Sequence, residues 1–294
     1  MISHYMRRHN PVMLQEMLDS LPDGCEVVLD GTLWHAWHAA ALAARGIWVV
    51  WVDRDAHMIQ KAKVFLKSDN LLDRVQIVQW SYAQLEDIAQ QSHMSSYDYI
   101  LLDIWVNMDH FKEADRGFSI KLDGELDMRF DTSRGDTVRE WLKKTHFEQM
   151  NTLFEKYTDF GQSYREWIVR SLLGARKHKE FVTTHDVRER SKWYGLNDKK
   201  LAVIFQAWRI YINNELWELE DFLEHFMSYL RPGGRCGIMT YHSWEDRIVK
   251  YSFKELVDNG EWKLYNKKVI KPNRQEVDKN KAARSAKFRI IEKI

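Results

Sequence analysis

The sequence predicts an α/β fold, a doubly wound, mostly parallel sheet interrupted by an inserted helical domain. Three observations predict it. Short apolar runs alternate with helical patterns in the N-terminal part of the chain. Acidic residues end three of those runs, Asp30, Asp53 and Asp103. The alternation then gives way to helical periodicity without strands and resumes near the C-terminus.

Taken in order, Val27-Val28-Leu29 suits a buried parallel strand. Ala39 to Ala44 is a strong helix former, and Val49, Val50 and Val52 form a second strand that Asp53 closes. This is the strand–turn–helix–strand–acid layout of a nucleotide- or cofactor-binding unit, in which the acid reads a ribose hydroxyl. Residues 56–68 read as a helix, 75–78 as a strand, 81–91 as a helix, and YDYILLDI at 97–104 as a strongly apolar strand. Open sheets of this kind bind ligands at the carboxyl ends of their strands, and all three acids lie there.

Residues 109–136 are polar, carry glycines at 117, 124 and 135, and read as a long loop. The domain division that follows is a first core part at 1–136, a helical insertion at 137–204 and a second core part at 205–294 with a basic tail. Residues 205–229 read as one long amphipathic helix stopped by RPGG. Strands are expected at 235–241 and 288–291.

Composition narrows the function classes. The apolar share of 45% is that of a globular protein. No apolar run approaches the roughly 18 residues of a membrane span, and MISHYMRRHNPVML lacks a signal-peptide core. Cys25 and Cys236 give neither a disulfide framework nor a zinc pattern, so no metal site is expected and a cytoplasmic location is the default. Net charge is only +1, yet from Lys263 to Ile294 there are 11 Lys/Arg against 3 Asp/Glu. Such a tail is either a solvated terminus or a phosphate-contacting one.

Four segments carry chemistry. The turn from Asp30 to His38, with Asp53, has the place of a cofactor loop. LLDIWVNMDHF at 101–111 puts Asp103 at a strand end, as a ligand-binding acid or a helix cap. RGFSIKLDGELDMRFD at 116–131 has neither helical nor strand period, and its Arg116, Asp127 and Arg129 can pair with one another. YHSWEDRIVK at 241–250 crowds His242, Ser243, Glu245 and Asp246 at a strand-to-helix junction, where Ser243 is expected to cap the helix and His242 to face the site.

In this order the four segments resemble the MraW/RsmH family of rRNA methyltransferases. The likeness runs from HNPVMLQEML at 9–18 through DGTL, VDRD, LLDI, RGFS and LDMRFD to FQAWRIYINNEL, LRPGGR, YHSWEDRIVK and NKAARSAKFRI. It implies a Rossmann-like class I methyltransferase core with an inserted helical domain for RNA recognition. It also implies S-adenosyl-L-methionine as methyl donor and N4 of a cytosine in 16S rRNA, cytosine 1402 of the decoding region, as acceptor. The partner is then 16S rRNA within the small ribosomal subunit, with no membrane involved and a homodimer allowed.

Carried over residue by residue, the family's cofactor turn falls on Trp34 to His38, so Ala36, Trp37 and His38 are cofactor-binding candidates. Its ribose acid falls on Asp53, the aromatic near the adenine on Tyr82, the strand-end acid on Asp103 and a polar contact on His110. Asp103, His242 and Asp246 are the catalytic candidates, with Asp103 first. Methyl transfer to an exocyclic amine is in-line, and the amine loses its proton afterwards, so positioning dominates. Phe118, Phe130 and Tyr241 are candidates for stacking on an unstacked base.

The chain departs from the family at Trp34, Trp37, Trp51, Trp80 and Trp105, where glycine, or glycine and alanine, are usual. It has 13 Gly and 13 Trp, whereas about 7% glycine, roughly 20 residues, is ordinary. UGA codons that specify glycine but are translated as tryptophan produce this pattern. Taken literally, the tryptophans would obstruct the cofactor turn and leave a catalytically silent RNA-binding or ribosome-assembly protein. A dinucleotide-dependent oxidoreductase shares the first βαβ layout, but nothing in the sequence supplies a hydride-transfer site.

Overall fold

A computed structural model describes residues 11–31, 36–106 and 108–294. It divides into two compact units, one formed by residues 1–106 with 216–294, the other by 107–215.

The first unit opens with α1 (Leu14–Asp19) and then alternates β1 (Val27–Asp30), α2 (Trp37–Ala43), β2 (Trp48–Asp53), α3 (Ala56–Ser68), β3 (Val75–Gln79), α4 (Leu85–Ser92) and β4 (Tyr97–Asp103). The second unit holds α5 (Val138–Lys144), α6 (Phe147–Tyr157), α7 (Gln162–His178), α8 (Thr184–Trp193) and α9 (Asp198–Ile212). Returning to the first unit are α10 (Glu215–His225, from Leu216 on), β5 (Leu230–Thr240), α11 (Ser243–Asp258), β6 (Trp262–Leu264), α12 (Arg274–Lys279) and β7 (Lys287–Lys293).

The seven strands form one sheet in the order β3-β2-β1-β4-β5-β7-β6. The first five run parallel, and β7 is antiparallel to both β5 and β6. This is the doubly wound α/β fold expected, with two features the apolar pattern does not encode: the short β6 and the reversed direction of β7. Successive residues alternate between two buried layers. Val28, Val49, Trp51 and Leu101 join α2 and α3 on one face. Leu29, Val50, Val52 and Leu102 join α4, α10 and α11 on the other. Strands covered on both faces have no polar positions to spare, which is why they read as unbroken apolar runs.

The register sets out the edge where ligands bind. Asp30 lies level with Trp51 of β2 and with Leu101 of β4. Asp53 and Asp103 therefore stand two residues further on, about 7 Å at the usual strand rise. β1 ends short between two longer neighbours, and β1/β4 is also where the strand order reverses. That notch is the crevice of a topological switch point.

In the second unit, helix starts are locally specified. Thr137 with Glu140 and Thr183 with Asp186 form capping boxes, and Asn197 caps α9; such caps contribute about 1 kcal/mol each. The segment 137–204 lies inside this unit. The single helix expected over 205–229 is instead two. Asn214 adopts φ 52° between them, and the Asn213 side chain donates to the Met128 carbonyl and accepts from the Phe130 amide, both at 2.7 Å. The asparagine pair thus ends α9 and ties it to the loop at 116–136.

That loop is ordered by its own contacts. Arg129 makes a two-pronged ion pair with Asp127, at 2.7 and 2.9 Å, and Arg116 donates to the carbonyls of Arg129 and Phe130. A Cβ on Gly124 would sit 1.8 Å from the Ala114 carbonyl oxygen, so only glycine allows the loop to close on itself there. Phe118 and Phe130 are buried and stacked on each other at 5.4 Å, with His110 stacked beside them. The expectation that these phenylalanines offer free faces to a base is therefore corrected: their faces cover one another.

Candidate active site

The carboxyl-end crevice of the first unit gathers most of the residues expected there. Asp30, Asp53, Asp103 and His38 are all buried. Gly31 follows β1 so closely beneath β4 that a Cβ would meet Leu102 at 2.5 Å and Tyr82 at 2.9 Å. The turn re-emerges at Ala36, whose φ of 57° is a left-handed conformation rare for residues with a Cβ, and α2 begins at Trp37. Trp34 and His35 lie outside the described residues.

Asp53 is poised to accept. Its Oδ1 takes the Asp55 amide at 2.8 Å, while its buried Oδ2 has no partner among the described residues. Burial raises its pKa well above the usual carboxylate range, the Asp55 amide opposing. A buried carboxylate oxygen without a donor is costly, and a ligand hydroxyl relieves that cost. The residue fits the ribose of an adenosyl cofactor. Next to it, Arg54 pairs with Glu218 at 2.8 Å.

Asp103 has neighbours on three sides, two of which donate hydrogen bonds to it. Tyr241 donates its hydroxyl to Oδ1 at 2.7 Å, the Trp105 amide approaches the same oxygen at 3.4 Å, and His38 Nδ1 lies 3.9 Å from Oδ2. Burial lowers the His38 pKa to about 4, the Val12 carbonyl opposing, so His38 is neutral at pH 7 and the approach to Asp103 is no ion pair. Its Nε2 lies 3.2 Å from the Val12 carbonyl, which places the proton there and turns the Nδ1 lone pair toward Asp103. Burial pushes the Asp103 pKa up to about 7, against the Tyr241 and Trp105 hydrogen bonds, with Asp30 and Glu245 adding repulsion. A carboxylate poised near neutrality can take up a proton during turnover.

The junction after β5 differs from expectation in one respect. His242, not Ser243, is the N-cap of α11, and Glu245 accepts from the backbone amides of Tyr241 and His242 at 2.8 and 3.2 Å. Ser243 is already helical. The other oxygen of Glu245 meets His242 Nε2 at 2.9 Å. Asp246 is committed elsewhere, to Lys287 at 2.7 Å and Arg289 at 2.8 Å. Burial raises its pKa, but those two hydrogen bonds prevail and leave it below the usual range. Asp246 thus fastens α11 to β7.

Tyr82 is buried edge-on against Phe222, 5.9 Å between centroids. His110 belongs to the second unit, in the Phe118 and Phe130 stack. The link the sequence did not disclose is Tyr241 with Asp103: the tyrosine offers a buried aromatic hydroxyl to the acid, and it is buried too deeply here to stack on a base.

Three of the tryptophans at expected glycine positions carry an unmet hydrogen-bonding group. Trp51, Trp80 and Trp105 each bury an indole N–H with no hydrogen-bond partner among the described residues, a state also found at Trp48 and Trp208. Each such group costs about 1–3 kcal/mol, and buried indoles normally find an acceptor. Trp105 lies against Tyr241, 4.3 Å between ring centroids, beside the acid that Tyr241 holds.

The sequence profile of the MraW methylase family matches residues 6–294. Among curated proteins, the ribosomal RNA small subunit methyltransferase H of Shewanella denitrificans is 33% identical over 97% of this chain and 97% of its own. Its namesake from Chlamydia felis is 35% identical, with 97% of each chain covered. A solved structure, a putative rRNA-methylase from Clostridium thermocellum, aligns at 12% identity and a TM-score of 0.46, covering 97% of this chain and 100% of that one.

Proposed function

Given that the chain belongs to the MraW methylase family, we propose that it methylates N4 of a cytosine in 16S rRNA, at the decoding-region position 1402, with S-adenosyl-L-methionine as donor. The observation that carries this reading is the crevice itself, where a buried oxygen of Asp53 with no partner among the described residues and the Tyr241-held Asp103 flank the short end of β1. The names of the relatives support a small-subunit rRNA as substrate.

When bound, the cofactor supplies an electrophilic methyl group on a sulfonium. Asp53 would accept hydrogen bonds from its ribose hydroxyls, and Ala36, Trp37, His38 and Tyr82 are the residues that would hold the rest of it. Asp103 orients the exocyclic amine and takes its proton after attack. Tyr241 holds Asp103 in place through Oδ1. His242 follows the end of β5 as the N-cap of α11, positioned by Glu245. The cytosine has to leave its stack to reach this edge. The helical segment 137–204 contributes to substrate recognition, and the protein works in the cytoplasm, where ribosomes are assembled.

The alternative, a catalytically silent RNA-binding protein, is favoured by one observation, the bulky Trp37 and Trp105 at the crevice. The test is nucleoside analysis. Small subunits lacking the modification, incubated with the protein and methyl-labelled S-adenosylmethionine, should yield labelled N4-methylcytidine. Label in another nucleoside defeats the proposed specificity, and no label with intact RNA binding favours the silent reading.

A further inference from the structure

The basic tail separates into two sets of charges. Lys263 pairs with Glu292, Lys287 and Arg289 with Asp246, and Lys293 donates to the carbonyls of Met227 and Leu230. These four are engaged within the fold. The rest, Lys267, Lys268, Lys271, Arg274, Lys279 and Arg284, with Lys281, are exposed. Among the described residues only Lys281 of this set meets a carboxylate, Asp278 at 3.4 Å. Glu276, the other acid of the stretch, accepts from the Met13 amide at 2.7 Å.

The sheet register fixes where this cationic stretch lies. Asp103 is level with Met239, Met239 with Phe288, and Phe288 bridges to Ile270. Ile270 is therefore three strand spacings from Asp103, about 14 Å at the usual separation. Lys268 and Lys271 flank Ile270 in sequence. At the other end of the stretch, Ala283 and Ala286 are buried in the core, and β7 begins at Lys287, opposite Thr240 at the end of β5. The exposed charges thus belong to the same sheet edge as the crevice.

We infer that residues 267–284 form a track for the phosphodiester backbone of single-stranded RNA whose unstacked base is delivered to the Asp103 crevice. This rests on the proposed RNA substrate and extends it by naming the surface that holds the strand. Exposed, largely unpaired cations beside a catalytic edge complement a polyanion, and binding of this kind releases counterions. The chain as a whole carries only +1, so attraction has to come from a local surface such as this one.

The test uses the full chain, a fluorescently labelled single-stranded RNA and anionic phosphatidylglycerol vesicles. The variant is K267E/K268E/K271E/R274E, all four at exposed positions, with thermal melting as a check of the fold. RNA affinity at about 50 mM salt should fall at least ~10-fold. The salt dependence of log K should flatten by about 0.7 for each phosphate that is no longer neutralised. Unchanged RNA affinity in a folded variant overturns the inference, as does a parent chain that prefers vesicles to RNA. Methyl transfer measured in parallel keeps the two readings apart. Absent transfer with track-dependent RNA binding defeats only the enzymatic reading, and persistent transfer with unchanged RNA affinity defeats only the track.

Discussion

Asp103→Asn lowers methyl transfer by about 10²–10⁴-fold, the range typical of a positioned acid–base group, and leaves the fold intact. Asparagine keeps the shape and can still accept the Tyr241 hydroxyl, so the loss isolates the proton-accepting role. The accepting form is the carboxylate. With the pKa pushed up to about 7 by burial, the rate should fall about tenfold per pH unit below that value. Stability moves the other way. A carboxyl raised in the fold from its ordinary 3.8 to about 7 favours folding below the ordinary value, and that contribution is lost as pH rises through 7. At pH 8 the asparagine variant should therefore melt no lower than the parent, which separates a catalytic loss from a folding loss. Tyr241→Phe keeps the ring and removes the donated hydrogen bond that lowers the Asp103 pKa. Its acid limb should move to higher pH, with a smaller fall in rate. An unshifted profile in Tyr241→Phe would show that Tyr241 does not act through Asp103.

Glycine at positions 34, 37, 51, 80 and 105 should strengthen S-adenosylmethionine binding by at least ~10-fold, the equivalent of removing about 1–3 kcal/mol of overpacking. Trp51, Trp80 and Trp105 bury indoles with no hydrogen-bond partner among the described residues, and Ala36 beside Trp37 takes a glycine-like backbone conformation. The left-handed backbone is the mark of a turn suited to small residues. The coding DNA offers an independent check. UGA codons at these positions agree with the account, and UGG codons at 34, 37, 80 and 105 contradict it.

Much of this was legible in the sequence because it is local. β1, β2 and β4 showed as apolar runs because both their faces are covered. Asp30, Asp53 and Asp103 showed because strand ends carry the residues that meet ligands. The break into helices showed because helical periodicity without strands is carried by the local sequence of 137–204. What stayed hidden depends on contacts distant in sequence. The reversed β7 reads as an alternating strand whatever its direction. The split at Asn213-Asn214 depends on Met128 and Phe130, far earlier in the chain. The cap at His242 depends on Glu245 reaching back to two amides, whereas residue type alone favours Ser243. The meeting of Tyr241 with Asp103 follows only from the pairing of β4 with β5.

The most direct test of the crevice as cofactor site is calorimetric titration of S-adenosylmethionine into the chain bearing glycine at the five positions, with and without Asp53→Ala. The account predicts saturable binding that Asp53→Ala weakens by about 10-fold or more, the value of hydrogen bonds to a buried charged group. Equal affinity in a folded Asp53→Ala variant would contradict it.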